Sequence, residues 1–174
     1  MEFAGRVYFE AGSADTWHLY RFLAATVAAG ADLRLSWVPF LAREDRTELR
    51  ALAAFAIVKQ EATDRHGAFL QALLQARHGE GKSLADDATY LEAADAAGVA
   101  SGLVVATQPG EDAVRVATKE ASGLGVVRTP SIYRHGPVLR VRVNPAALDG
   151  DVIARLRVID AVLGDDGVWA LEKP

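Results

Sequence analysis

The stretch from Arg6 to Phe40 sets the tightest limit on the fold. "RVYFE" carries Val7, Tyr8 and Phe9 in an unbroken apolar run, which reads as a buried strand over Arg6–Glu10. After "AGSAD", Leu19, Phe22, Leu23, Thr26 and Val27 recur at intervals of three and four. That spacing predicts an amphipathic helix from about Ala14, stopped by Gly30. "DLRLSWVPF" then alternates Leu33, Leu35 and Trp37 with Arg34 and Ser36, a second strand closed at Pro39. Two strands joined through one helix by short loops make a βαβ unit, so the chain is of the α/β class.

The pattern changes from Ala42 to about Val105, where Ala, Leu, Gln, Glu and Arg dominate. These residues lose little on entering a helix. Helices are predicted near Thr47–Thr63 and Arg65–His78, with a break at "GEGKS". Ser83 and Asp86 have the spacing of a capping box, and a short helix fits Val99–Ala106. "EDAVRVATKEASGLG" reads as a helix ending in glycine, and "PSIYRHGPVLRVRV" as a β-hairpin around Arg134–Pro137. "DVIARLRVIDAVLG" is a closing amphipathic helix, and "GVWALEKP" an edge strand or tail. The order β-α-β, helical block, α-β-β-α predicts a mixed sheet with an all-helical insertion. The expected division is 1–41, an insertion over 42–110, and 111–174.

Composition narrows the chemistry. The 174 residues suffice for one core, and the net charge of −4 offers no basic face for nucleic acid. No apolar run is long enough to span a membrane, and "MEFAGRVYFE" lacks the basic start and apolar region of a secretion signal, so a cytoplasmic protein is expected. There is no cysteine, which excludes a disulfide, a thiolate nucleophile and a Cys-ligated metal. His18, His66, His78 and His135 show no metal-ligand spacing, so no metal is expected and the four read as surface or loop residues. G-x-S-x-G, the pattern of a nucleophile elbow, is absent around Ser13. Arg134, Arg140 and Arg142 share a period of two; a solvated strand face is the expectation, an anionic ligand the alternative.

The order and two motifs resemble the thioredoxin-like fold of DsbA type. "YFEAGSADTW" is similar to that family's strand-to-helix turn, with Ser13 and Thr16 on the two C-x-x-C positions and Trp17 as the following aromatic. "GLGVVRTPSIYRHGPVLR" resembles the segment carrying its cis-proline, which implies Pro130 in that role with Thr129 before it. The run Gly136-Pro137-Val138-Leu139 resembles the DsbA-like group containing mycothiol-linked reductases. Kappa-class glutathione transferases and 2-hydroxychromene-2-carboxylate isomerases share the insertion, with serine at the first cysteine position. Ala14 and Asp15 depart from the proline and aromatic usual there.

Hydroxyls cannot exchange as thiols do, so dithiol oxidoreductase chemistry is rejected for this chain. The resemblance implies Ser13 and Thr16 as catalytic candidates and Asp15, Trp17, Thr129 and Pro130 as ligand-binding ones. The ligand would be a small thiol (glutathione or mycothiol), a thiol conjugate, or an extended peptide or protein segment. Isomerisation or transfer on the bound substrate would follow. Two alternatives stay open: Ser13 and Asp15 serve only as helix caps, and the chain is a non-catalytic interaction module. A homodimer through the hairpin or last helix is also open.

Overall fold

The structure is a computed structural model, and it describes residues 1–105 and 107–164. Its elements run β1 (Glu2–Phe9), α1 (Ala14–Ala28), β2 (Asp32–Pro39), α2 (Arg46–Glu61), α3 (His66–Leu74), α4 (Asp87–Ala97), α5 (Ser101–Val105), α6 (Gln108–Gly123), β3 (Ser131–Tyr133), β4 (Val138–Arg140) and α7 (Val152–Leu163). A π-helical turn, Gln75–Gly79, prolongs α3, and a 3-10 turn, Pro145–Asp149, precedes α7. The expected edge strand or tail at "GVWALEKP", and the last residue of the helix expected at Val99–Ala106, lie outside the described residues.

The four strands form one mixed sheet in the order β2-β1-β3-β4. β1 runs parallel to β2 and antiparallel to β3, and β3 is antiparallel to β4. β1 starts at Glu2 rather than Arg6, because it pairs with β2 along its full length, from Glu2 opposite Asp32 to Phe9 opposite Pro39. Phe3 and Val7 pack beneath Leu19, Phe22 and Leu23 of α1 and Leu156 and Leu163 of α7. Tyr8 sits in another cluster with Phe40, Ala121 and Val126. Thr26 is tolerated on the buried face of α1 because its hydroxyl donates to Leu23 O at 2.7 Å. Val27, expected on that face, is 52% exposed.

A second core lies among the central helices. Phe9 meets Phe55 of α2 edge-on at 5.1 Å, and Leu52, Phe69, Leu73, Tyr90 and Ala94 close around them. α6 lies against α2 so closely that a Cβ at Gly110 would come 2.3 Å from Ala53 O. The expected capping box does not form. α4 begins only at Asp87, with Asp86 as its cap position, and Ser83 Oγ accepts from Ala85 N at 3.1 Å in the preceding turn.

The hairpin forms as the sequence suggests, with His135 at φ 52 and Gly136 at φ 145 in its turn. Its arginines are not a merely solvated row. Arg134 pairs with Asp160 of α7, and Arg142 and Arg140 meet Asp15 of α1.

The register explains why distant segments meet. Tyr8 stands opposite Ser131 across β1 and β3. Two residues on from Tyr8 and two back from Ser131 lie Glu10 and Thr129, brought together at one end of the sheet.

Candidate functional site

The turn after β1 is held from three sides. Ser13 is the N-cap of α1: its backbone is extended (φ −77, ψ 121), and its Oγ accepts from Thr16 N at 3.4 Å. Glu48, in the first turn of α2, reaches the turn with both oxygens. Oε1 accepts from Ala11 N, and Oε2 from Gly12 N at 2.8 Å. From the opposite side, His78 Nε2 lies 2.8 Å from Ala11 O and donates to it, so the ring carries its proton on that nitrogen.

Glu10 ties this turn to the Thr129 loop. Its Oε1 accepts from Ala42 N at 3.1 Å, and its Oε2 accepts from the Thr129 hydroxyl at 2.5 Å. The Thr129–Pro130 bond is cis. Ser131 Oγ donates to Arg128 O at 2.7 Å, and Val141 N to Pro130 O at 3.0 Å, so both flanks of the proline are hydrogen-bonded.

Between these segments lies a cleft of about 780 Å³. Ser13, Asp15 and Gly12 form one wall, Arg128, Thr129 and Arg140 another, and Arg43, Asp45, Glu48, Arg77 and Leu84 close it from the helical side. Four arginines and four carboxylates, those of Glu10, Asp15, Asp45 and Glu48, therefore line it together. Asp15 Oδ2 lies 3.1 Å from Arg142 Nε and 3.8 Å from an Arg140 terminal nitrogen, so its charge is offset at the cleft edge. Arg140 Nε is buried and has no hydrogen-bond partner among the described residues.

The titratable groups feel this setting. Burial pushes the Glu48 carboxyl up from 4.5 to about 7, Glu10 and Asp45 add repulsion, and the Gly12 and Ala11 N–H groups oppose both. His78 is lowered, chiefly by burial, with Arg77 and His18 adding to the effect and the bond to Ala11 opposing it. Both shifts favour the neutral forms.

The structure brings Ser13, Asp15 and Thr129 to one cleft. Pro130 is buried directly behind Thr129. Thr16 and Trp17 are not cleft residues. The Thr16 side chain is fully buried and its hydroxyl finds no partner among the described residues, because the first turn of α1 points it into the core. Trp17 stacks at 6.2 Å on both Tyr20 and His78 and packs against the helical core. His78 is thus no surface residue: it is half-buried between Trp17 and the turn. The sequence reading missed Glu48, His78 and Glu10. Glu48 lies 36 residues from Gly12, and an acidic residue in a first helical turn ordinarily signals only the helix dipole.

No protein-family model and no curated protein matches this chain. Solved structures do. A periplasmic thioredoxin-like protein from Salmonella enterica serovar Typhimurium superposes with a TM-score of 0.67 at 17% identity, covering 88% of this chain and 84% of that one. A putative protein disulfide isomerase from Nitrosomonas europaea gives 0.69 at 10% identity, covering 94% and 98%. DsbA of Pseudomonas aeruginosa gives 0.58 at 20% identity, covering 90% and 80%. The likeness shows a thioredoxin-like fold of DsbA type, shared with thiol-disulfide exchange proteins and here without cysteine.

Proposed function

We propose that this protein binds a low-molecular-weight thiol, a thiol conjugate or an extended peptide in the cleft between Ser13 and Thr129, without dithiol exchange. The observation that carries the reading is that these two residues, 116 positions apart by number (129 − 13), line one cleft. The Ser13 Oγ accepts the helix's own N–H, which leaves its O–H to donate to a sulfur. The α1 N-terminus adds a favourable field for an anion there. The Thr129 main chain, next to β3, offers a peptide-like ligand an extended segment to run beside.

Charge sharpens the choice of ligand. A cleft lined by both arginines and carboxylates suits a zwitterion, which has both kinds of group to offer. Glutathione, with its carboxylates and ammonium, fits this better than mycothiol, a thiol on an uncharged sugar scaffold. Isomerisation or transfer on a thiol-linked substrate is the chemistry such a site would serve, with Ser13 donating to the sulfur.

The test is thermal stability against rising glutathione, S-methylglutathione and mycothiol at millimolar levels. A ligand of the folded state raises the midpoint with concentration. Glutathione is expected to do so, and Ser13→Ala to remove the shift. No shift with any of the three would sink the reading. A second reading then gains ground, that of a non-catalytic interaction module: Val127, on the cleft rim, is 77% exposed and open to an apolar partner.

A further inference from the structure

We propose that Glu48 is the positioning residue of this cleft: its carboxylate fixes the turn that presents Ser13, and protonating it loosens that turn. The inference rests on the reading that Ser13 faces a ligand, but its test needs no ligand.

The geometry is specific. One carboxylate accepts two consecutive backbone N–H groups, those of Ala11 and Gly12, immediately before the cap residue. Gly12 leaves the room this requires, since a Cβ there would lie 2.7 Å from Glu48 Oε2. Glu48 itself stands on the rigid first turn of α2, whose cap Asp45 accepts from Glu48 N at 2.9 Å. The helical insertion thereby holds one side of the turn through Glu48, as it holds the other through His78.

An ionised carboxylate accepts strongly at both oxygens; a protonated one carries a hydrogen on one of them and accepts weakly there. One of the two N–H bonds must weaken on protonation, and the Ser13 cap follows the turn. Groups facing Glu48 come from every side: Glu10 at the end of β1, Asp45 at the cap of α2, and Tyr90 of α4 beneath Arg50. Arg43, Arg77, Asp15, Arg128 and Arg140 complete the cleft walls, and His78 holds the far side of the turn. Burial and the two acidic neighbours bring the titration to about 7.

The experiment follows backbone amide proton and nitrogen shifts of the full chain from about pH 5 to about pH 9, a span bracketing that value. The amides of Ala11, Gly12 and Thr16 are expected to move together with one midpoint near 7. Glu48→Gln keeps the size, holds one acceptor and cannot titrate, so all three movements vanish. His78→Gln leaves them in place. The proposal falls if Ala11 and Gly12 stay still in the native chain. It also falls if the movement persists in Glu48→Gln, which would assign it to His78. Movement of Ala11 and Gly12 without Thr16 overturns it too, because the turn would then titrate without carrying the Ser13 cap. A chain that binds no thiol but shows the shared midpoint sinks the ligand reading and leaves the Glu48–Ser13 coupling standing.

Discussion

Glu48 Oε2 accepts from Gly12 N at 2.8 Å, and the space a Gly12 side chain would need is the space that oxygen occupies. A residue of the helical insertion thus determines what the strand-to-helix turn can be. Substituting Gly12→Ala would force the carboxylate off the turn. The expected cost is about 1–3 kcal/mol by denaturant unfolding, the range for overpacking a tight contact. In a Glu48→Ala background the same change should cost much less, since the clashing atom is gone. Equal costs in both backgrounds would show that the two residues are not coupled.

The Glu48 carboxyl also makes stability depend on pH. Its folded value is about 7 against an ordinary 4.5, so between the two the folded chain holds a proton the unfolded chain has released. The stability contributed by this group is complete below about 4.5 and lost as pH rises through about 7. Relative to Glu48→Gln, the native chain should therefore weaken over that interval. The shift corresponds to at most about 3.5 kcal/mol, at about 1.4 kcal/mol per unit, and less where solvent screens the group. Urea unfolding of both chains at a series of pH values checks it; a difference that does not change with pH would refute the assignment.

Thr16 tests whether the second hydroxyl of S-x-x-T matters. It is fully buried and has no hydrogen-bond partner among the described residues. Thr16→Val keeps the shape and removes the stranded hydroxyl. It should stabilise the fold by about 1 kcal/mol and leave any glutathione-induced thermal shift intact. Destabilisation, or loss of that shift, would mean the hydroxyl has a role that its burial hides.

Two glycines separate space from propensity. Gly110→Ala would set a Cβ 2.3 Å from Ala53 O and wedge α6 off α2, whereas Gly102 on α5 has open space around the same position. Gly110→Ala is expected to cost at least about 2 kcal/mol, because backbone cannot yield as a flexible side chain can. Gly102→Ala should gain about 0.5–1 kcal/mol from helix propensity. Thermal or urea unfolding of the two single variants decides this, and equal effects would contradict the packing described for α6.

Much of this protein is written locally. An unbroken apolar run marks β1, which is buried on both faces, while period-two and period-three-to-four patterns mark β2, α1 and α7, and two β-rich runs around a turn mark the hairpin. Ser13 before Ala14 announces its helix cap in four residues of sequence. The absence of cysteine, and with it of dithiol exchange, needs no structure at all. The true start of β1 was not legible, since Glu2–Gly5 lacks a clear apolar alternation and is a strand only because β2 pairs with it. Nor could the Ser83 spacing reveal that the helix begins at Asp87.

The cleft itself was decided in three dimensions. The β1–β3 register brings Glu10 and Thr129 together, and the insertion delivers Glu48 and His78 to the two sides of one turn. Trp17, expected at a ligand, is drawn instead into a stack with Tyr20 and His78. Local patterns report which face of an element is buried, since that follows from the chain's own repeat. Which distant carboxylate or imidazole meets a turn depends on how helices and strands pack, and no short window of sequence carries that information.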